Sequence, residues 1–304
     1  MTIISVLGFC GNGSTGSVAV IGPNQMQVTF HGVRGSTPCD GDEIARYGGN
    51  TSCVSVDVPG HDPILFDLGT GLRYFGNACP TDVPFRGTCL LSHLHWDHLQ
   101  GLPFFTPILR DGARLEVYAP GQEDGCSVRD VIDKTICPPL FPVRVTDLPG
   151  AITFCDTGND EFSIGDVRVT SRLIPHVGRT CGYRIEWNGN SVAYLSDHQQ
   201  PGIGDFGIAP GAIELCRDVD VLIHDAQYTT EEFAMRSNWG HCTVDYAVNV
   251  AVQCGARMLV LFHHDPTHDD DCVDQLVKLA SERGADFGVS VIAASEGLTL
   301  HVGA

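Results

Sequence analysis

Alternating apolar and polar residues at Gln27-Val28-Thr29-Phe30-His31 predict a strand with one buried face, the first clear element of the chain. A turn through Gly32-Val33-Arg34-Gly35-Ser36-Thr37-Pro38 and the run Gly48-Gly49-Asn50-Thr51-Ser52 lead to further strands at Cys53–Val58 and Ile64–Asp67. The latter ends at Leu68-Gly69-Thr70-Gly71, where the glycines allow close backbone approach. Asp67 is placed either to brace the next loop or simply to cap this turn. Short apolar runs at Thr88–Leu91 and Leu115–Tyr118 predict two more strands, and a helix opens at Ser127 with Val128, Val131 and Ile132 on one face. The stiff apolar loop Cys137–Pro142 either walls a pocket or covers the core.

Strand patterns recur at 151–155, 166–170, 181–187, 191–195, 220–224, 257–262 and 289–301. Two helices interrupt the last of these. One starts near Thr243, carries Val244, Ala247, Val248 and Ala251 on a stripe and stops at Gly255; the other opens with Asp269-Asp270-Asp271 and stops at Gly284. Strands interleaved with such helices predict sheets covered by helices rather than an all-β sandwich. The pattern sets in at Met26, so residues 26–304 read as one domain and residues 1–25 as an N-terminal extension that need not be ordered, with Met26 a candidate start.

Composition narrows the class. With 304 residues the chain can bury a large core, and no stretch approaches the roughly 18 apolar residues of a membrane span. The first residues lack the basic start of a secretory signal, so a cytoplasmic location is expected. The 13 cysteines are odd in number, scattered and without a CxxC pair, which suits buried thiols rather than disulfides. A formal charge of −19 with only two lysines, Lys134 and Lys278, argues against a long nucleic acid as partner and for a small-molecule phosphodiester or ester.

The chemistry concentrates after the strand at Thr88–Leu91, in Ser92-His93-Leu94-His95-Trp96-Asp97-His98. His93 and His95 are two apart in an extended segment and can point the same way, while Asp97 and His98 enter the following turn. Imidazole nitrogens with a carboxylate suit zinc, and also manganese or iron. Three later β-rich runs each end in one metal-capable residue, His176, Asp197 and His263. Five histidines and two aspartates suffice for two divalent ions, each with three or four protein ligands and room for water.

The runs SHLHWDHLQGLPFF, PHVGRTCGYRI, YLSDH, DVLIHDAQY, GHCT and LVLFHHDP, in that order from about residue 26 onward, resemble the metallo-β-lactamase fold hydrolases, in the branch of ribonuclease Z-like and cyclic-nucleotide phosphodiesterase-like enzymes. The resemblance implies a four-layer αββα sandwich of two mixed sheets. It implies that His93, His95 and His176 hold one ion and Asp97, His98 and His263 the other, with Asp197 bridging. His263 is preferred to His264 because it directly follows the apolar run, and His198 is a departure from the small or hydroxyl residue usual after the aspartate. Trp239-Gly240-His241-Cys242-Thr243 is similar to the element whose histidine assists the leaving group, with Cys242 in place of the usual serine. Asp225 matches the carboxylate that orients it.

Asp97, His241 and Asp225 are thus the candidate catalytic residues, and Arg34, Asn50 and Thr51, in glycine-rich loops like those near the family's centre, are candidate substrate contacts. The implied activity is a binuclear phosphodiesterase whose metal-bridging hydroxide attacks a small phosphodiester or cyclic nucleotide. Attack on a carbonyl ester, as in lactonases or thioesterases, remains open, as does a non-catalytic metal-binding sensor. A homodimer is a family expectation.

Overall fold

The computed structural model describes residues 4–7 and 22–303. The first sheet takes β1 (Ile4–Leu7), β2 (Met26–Gly32), β3 (Cys53–Asp57), β4 (Ile64–Phe66), β5 (Arg86–Leu90), β6 (Arg114–Pro120) and β7 (Ala151–Thr157). The second takes β8 (Glu161–Ile164), β9 (Val167–Ile174), β10 (Thr180–Trp187), β11 (Asn190–Leu195), β12 (Val221–Asp225), β13 (Met258–Phe262) and β14 (Ser290–Ala293). The last strand, β15 (Thr299–Val302), returns to the first sheet between β1 and β2. Spatial order is β1-β15-β2-β3-β4-β5-β6-β7 in one sheet and β14-β13-β12-β11-β10-β9-β8 in the other. Both sheets are mixed; β4–β7 and β11–β14 run parallel.

Side-chain alternation assigns the layers. In β2, Met26, Val28 and Phe30 face the core between the sheets, while Gln27, Thr29 and His31 are only partly covered. β11 and β12 are buried on both faces: Val192, Tyr194, Val221 and Ile223 enter the inter-sheet core, whereas Ala193, Leu195 and Leu222 lie under helices. Those helices are α3 (Pro210–Cys216), α5 (Val244–Cys254) and α6 (Asp270–Ala285); α1 (Leu72–Ala78) and α2 (Val128–Thr135) cover the first sheet, and the short α4 (Thr230–Arg236) precedes α5. The result is the αββα sandwich.

The helix ends follow the expected chemistry. Ser127 caps α2, Thr243 caps α5 and Asp269 caps α6, each accepting from a backbone N–H of the first turn, and Gly255 closes α5 with φ 72°. The continuous strand expected over 289–301 is instead two strands in different sheets. A turn through Ser295-Glu296-Gly297 separates them, with Gly297 at φ 81°, and lets the Glu296 carboxylate accept from the Asn50 backbone N–H. Of the N-terminal extension, Ile4–Leu7 pairs antiparallel with β15, and most of residues 1–25 lie outside the described residues.

Register sets up the site. Leu195 pairs with His224 and Asp225 with Phe262, so β11, β12 and β13 end together. Asp197, Asp225 and His263 therefore share one edge, opposite the ends of β4 and β5, from which Asp67 and His93 project. Phe66 stacks on Tyr194 across the inter-sheet core with ring centroids 4.6 Å apart, directly beneath this edge.

Candidate metal centre

Two donor sets meet at Asp197. His93, His95, His176 and Asp197 bring one donor atom each within 4.8 Å of one another, and Asp97, His98 and His263 do the same. The two oxygens of Asp197 divide between them. Oδ2 lies 3.7 Å from His93 Nε2 and 3.6 Å from His176 Nε2, whereas Oδ1 lies 3.2 Å from His98 Nε2 and 3.4 Å from His263 Nε2. Asp97 Oδ2 stands 3.3 Å from both His98 Nε2 and His263 Nε2.

These spacings fit divalent cations. Donors about 2.0–2.2 Å from one tetrahedral ion stand about 3.3–3.6 Å apart. Moreover, His93 Nε2, His98 Nε2 and Asp197 Oδ1 are buried without a hydrogen-bond partner. Polar atoms that come close yet do not align on each other are aimed at a common third point. The potential has the right sign as well: burial opposes charge on His98, but Asp97, Asp197 and Asp67 outweigh it and push its pKa well above the histidine norm.

The surrounding contacts orient each ring. His98 Nδ1 is 2.6 Å from Asp67 Oδ2, His263 Nδ1 is 2.8 Å from Gln227 Oε1, and His176 Nδ1 is 2.6 Å from the Gly240 carbonyl. In each case Nδ1 is engaged and Nε2 is left to face the donor set. Asp67 also accepts from the Ser92 backbone N–H and from Tyr194 Oη, both at 2.7 Å, so it braces the loop rather than capping its own turn. It adopts φ 61° and His263 φ 60°, sparsely populated conformations held by these contacts. Gly240, at φ 97°, has no room for a Cβ against the His176 ring, which accounts for the glycine before His241.

His241 lies at the rim of both sets. Its Nδ1 is 2.9 Å from Asp225 Oδ2 and 3.8 Å from Asp197 Oδ2. Burial, the largest single influence, pulls its pKa down, but Asp225 together with Asp197 and Asp97 outweighs it, and the net shift is upward. Asp225 is itself fixed by the backbone N–H groups of Gln227 and His198. The dyad expected from sequence is thus assembled.

Other residues fall elsewhere. His264 turns away, 2.9 Å from the Ala294 carbonyl, and burial lowers its pKa to about 3. His198 lies behind the site against His224 at 2.9 Å. Arg34 is fully buried and donates to the carbonyls of Gly48, Asp265 and His268, so its expected role as a substrate contact gives way to a structural one. Thr51 is buried too, exchanging hydrogen bonds with Thr70, and cannot reach a substrate. Asn50 lines a cleft beside the centre, as do Leu140 and Phe141 of the stiff apolar loop. Sequence reasoning missed the ring-orienting roles of Gln227, Ser92 and Tyr194, although all three lie in motifs it singled out.

Two sheets between helices, with histidine and aspartate donors at the edge where the parallel strands end, define a metallo-β-lactamase fold protein. The chain belongs to the beta-lactamase superfamily, whose domain family matches residues 64–264. Ribonuclease Z of Natronomonas pharaonis is 26% identical, over 91% of this chain and 98% of its own length. The metallo-β-lactamase fold protein YhfI from Bacillus subtilis shares the fold with TM-score 0.69 at 18% identity, covering 91% of this chain and 99% of that one. The short form of human tRNase Z shares it with TM-score 0.59 at 22% identity, covering 90% and 98%.

These relatives overturn the expectation that a long nucleic acid is an unlikely partner and a small molecule the substrate. Proteins matched along nearly their whole length are ribonucleases. The inference from net charge failed because a sum says nothing of distribution. Many carboxylates are engaged far from the centre, as Asp270, Asp271 and Asp274 are around Arg46, while the cleft beside the metal donors is lined by Arg73 and by no carboxylate. Among the described residues no helix is long and apolar enough to cross a membrane, and every cysteine is a free thiol.

Proposed function

We propose that this protein is a metal-dependent phosphodiester hydrolase, with RNA within its range of substrates. The observation that carries the reading is the split of the Asp197 carboxylate between two donor sets, beside a histidine already paired with a carboxylate. Divalent ions bound by these residues would supply a nucleophile at neutral pH and would neutralise charge on phosphoryl oxygens. We assign His93, His95 and His176 to one ion and Asp97, His98 and His263 to the other, with Asp197 shared. Zinc suits this nitrogen-rich set, and manganese or iron is compatible with it.

The remaining steps belong to the protein's own side chains. Asp225 holds His241 through Nδ1, which leaves Nε2 as the nitrogen that carries the proton toward the departing oxygen. Asp225, paired with the ring, favours its protonated form, the one able to donate. A histidine–carboxylate acid beside the centre favours phosphodiesters, whose alkoxide leaving groups need a proton, over activated carbonyl esters. The ribonuclease names of the curated relatives support the same bond type.

The test is hydrolysis of bis(p-nitrophenyl) phosphate and of a short RNA by protein loaded with zinc or manganese, against Asp197→Ala loaded identically. Turnover that disappears in the variant is expected. No turnover of either substrate by wild-type protein carrying about two ions per chain would move the assignment to carbonyl esters, with lactones and thioesters next.

A further inference from the structure

A cleft of about 1050 Å³ is lined by Trp96, which stands between the donors His95 and Asp97 in the chain, while no donor itself lines it. Its walls include Trp96, Phe104, Phe141 and Tyr74, with Arg73 and Gln100 supplying polar groups. Trp96 is 53% exposed and Phe104 60% exposed. Large aromatic faces left uncovered together mark a binding surface rather than chance exposure. Trp96 stands in the same short turn as Asp97 and His98, so whatever covers its ring is held beside the centre. Phe104 is braced edge-to-face by Phe141, with centroids 5.9 Å apart and planes at 89°.

Polarity and placement narrow the occupant. Arg73 is exposed and makes no ion pair among the described residues, and no carboxylate lines the cleft, so an attached phosphate is not repelled. The side-chain oxygens of Gln100 and Asn50, whose amide nitrogens are held by Thr51 and Glu296, are left to accept from ring N–H groups that an aliphatic chain lacks. The rings beside His241, Tyr228 and His176, share no wall with the cleft. The leaving group, which His241 serves, therefore has its own side.

We infer that this cleft binds a planar aromatic group on the retained side of the scissile phosphate, stacked on Trp96 and Phe104. Nucleobases and simple aryl groups share that chemistry. The inference rests on the phosphodiesterase reading and names which part of the substrate that site recognises.

The experiment compares methyl, cyclohexyl, phenyl and thymidine 5′-yl p-nitrophenyl phosphates, which lose the same leaving group. For the metal-loaded wild type, kcat/KM for the phenyl and thymidine esters should exceed that for the methyl and cyclohexyl esters by about tenfold or more. Trp96→Ala and Phe104→Ala should each collapse the phenyl-to-methyl ratio, and Trp96→Phe should keep most of it. Using the ratio divides out any general damage to the neighbouring donors. A thymidine rate well above the phenyl rate identifies a nucleobase, and equal rates a simple aryl group. A methyl ester as good as the phenyl ester, or a cyclohexyl ester better, overturns the subsite while leaving the phosphodiesterase reading intact. Calorimetric binding of phenylphosphonate against methylphosphonate needs no turnover. A phenyl preference lost in Trp96→Ala, with no diester hydrolysed, would keep the subsite and remove the phosphodiesterase reading; equal binding would overturn the subsite.

Discussion

His98 Nδ1 sits 2.6 Å from Asp67 Oδ2, and both groups are wholly buried, so one carboxylate settles which nitrogen of that imidazole faces the centre. Asp67→Asn keeps the shape and removes the charge. It should lower metal affinity by about 10–100-fold, read by competition with a chromophoric chelator, and excess metal should restore activity. Unchanged affinity would reduce Asp67 to a purely structural brace.

His241→Ala should slow diesters with alkyl leaving groups by about 10²–10⁴-fold and p-nitrophenyl esters much less, because only the former need the proton. Equal slowing of both would remove His241 from the role of acid.

The same dyad makes a prediction in pH. An acid works while protonated, so activity falls as pH rises through the pKa of His241, which the nearby carboxylates have raised against the effect of burial. Asp225→Asn removes the largest upward influence, and the alkaline limb of the kcat profile should move to lower pH. A limb that stays in place would assign it to another group.

Arg34 gives its guanidinium to three backbone carbonyls from two separate loops. Arg34→Met strands those acceptors and should cost about 2–4 kcal/mol, seen as a lower urea midpoint, with KM unmoved in protein that remains folded. A raised KM without loss of stability would return Arg34 to the substrate.

His31 supplies a stability test away from the metal donors. Burial lowers its pKa to about 4, so the unfolded chain, with its histidine near 6.5, binds the proton first. Stability is therefore lost as pH falls from about 6.5 towards 4, by on the order of 1 kcal/mol per pH unit from this group. His31→Gln, which can keep the 2.9 Å contact to Ser55 Oγ, should flatten that part of the curve in thermal melts and leave stability above pH 7 unchanged. Parallel curves for the two proteins would show that His31 is not the group.

Period and punctuation carried most of the fold. Gln27–His31 alternates as its strand requires, and Thr243, Gly255 and Asp269 mark helix ends by chemistry that acts within a few residues. The strand β8 and the short helices α1, α3 and α4 went unread because their windows are too brief for either period to emerge. The residues gathered at the centre were legible because each closes a strand or its turn, and strand ends converge. Arg34 and Thr51 were misplaced for the opposite reason: nothing in a glycine-rich loop says whether a polar side chain turns inward, and here both do.

The sharing of Asp197 between donors from both sheets has a consequence for how the protein is made. His93, His95, Asp97 and His98 follow β5 of one sheet, while His176, Asp197 and His263 follow β9, β11 and β13 of the other, and more than half of the domain separates His93 from His263 in sequence. Neither sheet alone presents a complete set, so full-strength metal capture waits for both to close face to face. Ions held there would report completed assembly, and their uptake would be a late step in the maturation of the chain rather than a seed for it.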